Sequence, residues 1–175
     1  KFDGGKKIGT SWTTKIEHLD DASVSRAFDL LRGAANPVPP AKLGVVGKEN
    51  GPYEAYGKAV GSYNHSGADI PCVIEVWADR TETYGDVRVM VNRTPVVSQV
   101  RHRQSKDGTK AKGVLAGCGL NHWVETGKHV FDAVINVQVP YMAVTNDGKE
   151  PDLKPLYELI TVAFEKACRI ARRLN

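Results

Sequence analysis

The apolar positions of this chain fall into two textures. Toward the C-terminus, Leu156, Leu159, Ile160, Ala163, Phe164, Ala167, Ile170, Ala171 and Leu174 recur at three- and four-residue spacing. That is the continuous stripe of one long amphipathic helix. Lys166, Arg169, Arg172 and Arg173 crowd its last turns, where cations oppose the negative end of the helix dipole. A shorter helix is predicted near the start. Asp20 and Asp21 suit its N-cap, Val24, Ala27, Phe28 and Leu31 share one face, and Gly33 with Asn36-Pro37 ends it. Between the helices the spacing shortens. Runs of β-branched and aromatic residues predict strands over 70–77, 87–91 and 130–139, with a further short strand starting over 96–100. Alternation in 87–91 puts Val87, Val89 and Val91 on one face and Arg88 and Met90 on the other.

Two stretches carry no clear period. After the rigid connector of Pro37, Pro39 and Pro40, residues 41–68 are glycine-rich and predict a long loop. Residues 114–123 read equally as a short helix or an irregular turn. Strands plus one long helix predict an α+β fold: a small mixed sheet, a C-terminal helix packed on one face, and a short helical N-terminal appendage. The expected division is a flexible lead-in with a helical segment over 1–50 and the sheet domain over 51–175.

Composition narrows the classes. The 175 residues are 41% apolar and 25% charged, the balance of one globular domain with an appendage. No apolar run approaches the ~20 residues of a membrane span, which predicts a soluble, cytoplasmic protein with no membrane partner. Lys1 to Lys7 are polar and glycine-rich, so no signal peptide is expected, and a first residue of Lys rather than Met suggests either that something was removed or that this is a piece of a longer protein. Cys72, Cys118 and Cys168 are odd in number and far apart, which predicts buried free thiols. Lys plus Arg exceeds Asp plus Glu by 24 to 20, a surplus that permits a nucleic-acid neighbour without requiring one.

Candidate chemistry is sparse. His18, His65, His102, His122 and His129 show no metal-ligand spacing, so no metal is expected. There is no phosphate-binding glycine loop, nucleophile elbow or activated cysteine, so no self-contained active site is predicted. Glu75 and Asp132 lie in strands and read as solvated or paired carboxylates rather than acid catalysts. Two segments keep a possible role. Residues 101–112 carry Arg101, Arg103, Lys106, Lys110 and Lys112 against one acid, Asp107. They form either a solvated hairpin tip or a loop that tracks the phosphates of duplex DNA. No aromatic residue is interleaved there, so base stacking is not expected. The other is the turn from Val139 to Pro151, where Thr145 and Asn146 precede Asp147-Gly148 and Lys149. An exposed lysine there is a point charge with three donors, suited to a phosphate.

In order, four pieces resemble the transducer domain of the DNA topoisomerase VI B subunit, a GHKL-type ATPase. They are the strand Ile70 to Val76, the strand and break Val87-Arg88-Val89-Met90-Val91-Asn92-Arg93-Thr94-Pro95, the strand, turn and lysine from Val134 to Glu150, and the helix closing at Leu174. Upstream, Pro39 to Lys48 is similar to the end of that subunit's helix–two-turns–helix insertion. The resemblance spans about residues 20–175 and implies a transducer-type βαβ fold. It further implies an N-terminal ATPase domain outside this chain, holding ATP with Mg²⁺ and pairing the subunit as a homodimer, and a DNA-cleaving A-type partner subunit. Its γ-phosphate-sensing lysine matches Lys149, with Asn146 and Thr145 as neighbours, or Lys154 if the register slips. Where the family has serines before that lysine, this chain has Asn146-Asp147-Gly148. The fragment alone is expected to be inactive.

Overall fold

The computed structural model describes residues 20–34, 38–104, 112–145 and 150–174. The chain forms two units, Lys1–Pro37 and Val38–Asn175. In the first, helix α1 runs over Asp21–Ala34. Its N-terminus is capped by Asp20, whose carboxylate accepts a 2.7 Å bond from the Ser23 amide. Phe28 and Leu31, on its apolar face, are 65% and 54% exposed.

The second unit is a seven-stranded mixed sheet with one long helix. Its strands are β1 (Ala55–His65), β2 (Ala68–Thr81), β3 (Gly85–Val91), β4 (Thr94–Gln104), β5 (Gly113–Gly117), β6 (Leu120–Val124) and β7 (Val130–Gln138), followed by α2 (Tyr157–Leu174). Their order across the sheet is β1-β2-β7-β3-β4-β5-β6. Every neighbouring pair is antiparallel except β3 with β7, which is parallel. Three hairpins close through two-residue turns with positive φ at both positions: Ser66-Gly67, Asn92-Arg93 and Cys118-Gly119. Such mirror-image turns match the right-handed twist of the strands they join.

Helix α2 lies across β1 and β2 and buries Ile160, Ala163, Phe164, Ala167, Cys168 and Ala171. The strand beneath it is unusual in being lined by small residues. Ala55, Gly57, Ala59 and Gly61 of β1 all face the helix, and a Cβ added at Gly57 would collide with the Ala163 carbonyl oxygen. The bulk of the core comes instead from β2, β3 and β7, through Cys72, Ile74, Val76, Val87, Val89, Phe131, Ile135 and Val137.

Strand β2 is buried on both faces. Opposite α2, its Val73, Glu75 and Trp77 lie under the segment 38–54, which contains 3-10 turns at Pro40–Lys42 and Lys48–Asn50. The Trp77 indole donates to the Lys48 carbonyl at 3.1 Å and packs against Gly51 and the Tyr56 ring.

Three expectations change. Residues 41–68 are not one loop, because 55–65 form β1. The basic stretch does not begin as a loop either, since β4 extends through Gln104. Residues 114–123 are neither helix nor irregular turn but the hairpin of β5 and β6. The mixed sheet, the long helix on one face and the N-terminal helix stand as expected from the pattern.

Candidate functional site

Strand β7 leaves the sheet at Val139, and this exit is held on both sides. The side-chain amide of Asn92 pairs with the Val139 backbone like a strand residue. It accepts from the Val139 N–H and donates to its carbonyl, both at 2.9 Å. The Asn92 backbone N–H reaches the Val137 carbonyl at 2.8 Å. Two residues further on, the buried Tyr63 hydroxyl donates to the Tyr141 carbonyl at 2.8 Å, and the Tyr141 ring lies on His65.

Beyond the exit the chain doubles back as a short two-rung ladder. Thr145 N–H donates to the Glu150 carbonyl and Asp152 N–H to the Ala143 carbonyl, each at 2.8 Å, with Val144 bridged to Pro151. The returning leg is fixed by the Leu153 N–H on the Cys118 carbonyl at 2.9 Å. Of the residues expected at a phosphate, Thr145 therefore belongs to the base of this excursion. Asn146 and Lys149 lie outside the described residues. Lys154 sits past the excursion, an exposed residue opening the 3-10 turn that leads into α2.

A second feature joins the Asn92-Arg93 turn to the segment over β2. Glu75 is fully buried, yet its carboxylate is surrounded by donors. Oε2 accepts from the Val46 N–H at 2.8 Å and the Asn136 side-chain amide at 3.1 Å. Oε1 accepts from the Gly47 N–H at 2.8 Å and the Tyr56 hydroxyl at 2.9 Å. Burial alone would raise its pKa, but the four hydrogen bonds outweigh burial and hold the carboxyl below the ordinary glutamate value. The Asn136 side-chain Oδ1 in turn accepts from the Arg93 N–H at 3.1 Å, and the Arg93 guanidinium extends to the Val45 carbonyl at 3.4 Å. Sequence reasoning read Glu75 as a paired or solvated carboxylate. It is paired, though with neutral donors rather than a cation. The one signal available was a lone acid inside the otherwise apolar run Ile70 to Trp77.

The basic residues separate. Arg101 and Arg103 are exposed strand residues of β4, alternating with the buried Val100 and His102. Lys112 is half-buried just before β5, and Lys106 and Lys110 lie outside the described residues. His102 faces the core, its Nδ1 accepting from the Phe131 N–H at 3.1 Å and its Nε2 3.2 Å from the Thr126 hydroxyl. An accepting Nδ1 places the ring proton on Nε2, and burial pushes the pKa down to about 4, so His102 is neutral.

Cys72, Cys118 and Cys168 are free and buried, and burial raises all three thiols, the first two to about 11. Among the described residues no His, Cys, Asp and Glu group has the makings of a metal site, and no helix is long and apolar enough to cross a membrane. Asp132, the second carboxylate singled out in the sequence, accepts from the Asp86 N–H at 2.8 Å. Comparison of this chain with family models, with curated proteins and with solved structures finds no match in any of the three.

Proposed function

We propose that this chain is the transducer portion of a cytoplasmic, type IIB topoisomerase B-subunit-like GHKL ATPase. In this reading Lys149 contacts the γ-phosphate of ATP held with Mg²⁺ by an N-terminal ATPase domain of the same protein. The chain supplies one cation to the nucleotide and none of the pocket. Once the γ-phosphate leaves, the lysine loses its partner, and that differential contact is what moves the transducer relative to the ATPase domain. Helix α2 then carries the change toward the DNA-cleaving A-type subunit.

The observation that supports the reading is the tethered excursion after β7. A lysine that must reach out of its own domain needs a base that does not move, and Lys149 directly precedes Glu150, whose carbonyl closes the ladder with Thr145. That base lies between the end of β7 and the turn that leads into α2. The test is Lys149→Ala in the protein that carries the ATPase domain. ATP turnover is expected to fall at least tenfold with an unchanged melting temperature, whereas Lys154→Ala leaves turnover near wild type. Undiminished turnover in Lys149→Ala, or a loss only in Lys154→Ala, refutes this assignment.

A further inference from the structure

The sheet has one face covered by α2 and by core packing, and the opposite face is unequally covered. Over β1 and β2 the segment 38–54 closes it. Over β3 to β6 no described residue of this unit covers it, and the side chains presented there form a pattern that residue order in the sequence conceals. Strand register places Arg103 beside Val114 and Val114 beside Trp123 in one cross-strand row. The next row holds Arg101, Ala116 and Asn121, with Asp86 on the far side of Arg101. Arg88 follows, opposite Gln99.

Trp123 is 54% exposed and Val97 fully so, while Val114 and Ala116 are half-buried. Neighbouring strands lie about 4.8 Å apart, so Trp123 stands roughly 10 Å from Arg103, and Arg101 stands about 7 Å from Arg103 along β4. Among the described residues, none of these three guanidinium groups is committed to a hydrogen bond or ion pair, and the Trp123 ring stacks on no other ring. A tryptophan exposed to this degree on a strand has one large apolar surface in water without a partner.

We infer that the open face of β3 to β6 binds single-stranded nucleic acid, with a base stacked on Trp123 and phosphates on Arg103, Arg101 and Arg88. Only the short side chains of Val114 and Ala116 stand between the indole and the arginines, which leaves room for a planar base on the Trp123 ring. A duplex would meet the arginines but keep its base faces stacked inside, leaving Trp123 unused. The aromatic absent from residues 101–112 is thus supplied by a neighbouring strand. This inference stands independently of the transducer reading, since it uses other residues on another part of the sheet.

The test measures binding of this chain to a fluorescein-labelled oligo-dT of about 15 nucleotides by anisotropy, from about 50 to about 200 mM salt. Saturable binding is expected, with a log–log salt slope near −2, about 0.7 for each of three arginine contacts on a single strand. Trp123→Ala should weaken binding about tenfold, and Trp123→Phe should restore most of the loss. Arg101→Ala and Arg103→Ala should each flatten the slope by about 0.7.

Trp123→Leu, which keeps apolar area but has no ring, should behave as the alanine variant and covers the case in which alanine disturbs the edge strand. The inference is overturned by absent binding at the lowest salt, or by wild-type affinity in both Trp123→Ala and Trp123→Leu. It is equally overturned if duplex of the same length or polyglutamate displaces the labelled strand better than unlabelled oligo-dT does, or if the chain self-associates through this face and oligo-dT does not compete.

Discussion

Glu75→Gln is the substitution that most directly probes how this fold is held. Glutamine keeps the shape of the side chain and exchanges one acceptor for a donor. Each carboxylate oxygen of Glu75 receives two hydrogen bonds, so either orientation of the new amide sets an NH₂ against two existing donors. At the Oε1 position the Tyr56 hydroxyl can rotate to accept, but the Gly47 N–H cannot turn away. At Oε2 the Asn136 amide could flip, though only by withdrawing the oxygen that accepts from the Arg93 N–H.

The better orientation therefore leaves one buried N–H opposed, at about 1–3 kcal/mol, and weakens the others from charge-assisted to neutral bonds. A total near 3 kcal/mol is expected, which for a unit of this size lowers the melting temperature by on the order of 10 °C. Urea denaturation at neutral pH gives the first number. Acid gives a second: a carboxyl held below its ordinary value contributes stability that is present above the unfolded pKa, 4.5 for glutamate, and is lost as pH falls through the folded value. The gap between wild type and Glu75→Gln should accordingly narrow in acid. A Gln variant within about 0.5 kcal/mol of wild type at neutral pH, or a gap that does not change with pH, refutes the reasoning.

His102 gives a second acid prediction, of the same sign, in the same instrument. Its folded pKa of about 4 lies below the ordinary 6.5, so stability present above pH 6.5 is lost as pH falls toward 4, by about 3 kcal/mol relative to the non-titrating His102→Gln. A pH-independent difference between the two proteins would show that the ring is not buried as a neutral group. Gly57→Ala should cost about 3 kcal/mol in chemical denaturation, because its Cβ meets the Ala163 backbone carbonyl of α2. Gly67→Ala is the contrast: its Cβ meets open space and the φ of 81° is the only obstacle, so about 1 kcal/mol is expected, and equal losses at the two sites would contradict the packing described here.

The parts of this fold that were legible in sequence are those where burial asks for large apolar side chains. The α2 stripe and the centres of β2, β3 and β7 are of that kind. β1 was hidden by the very residues that make it fit. Its helix-facing positions are alanine and glycine because α2 lies so close, and small residues carry no hydropathy alternation. The extension of β4 was hidden by His102, a polar residue at an inward position between two arginines, satisfied by Phe131 and Thr126. The Asn92 clamp on Val139 joins positions 47 residues apart. Sequence marks Asn92 only as a turn former, since nothing local tells which distant strand end its amide will grip.

The pairing of β3 with β7 has a consequence for how this molecule can vary. Two parallel strands must be joined by a crossover, and the usual crossover is a helix that covers one face of the sheet. Here the chain between them carries three strands, β4, β5 and β6, laid edge to edge in the same sheet. The crossover thus enlarges the sheet instead of roofing it. Its strands extend outward from β3 to the sheet edge at β6, so they can be lengthened, shortened or exchanged as a single cassette without rethreading β1, β2, β7 and the helix that rests on them.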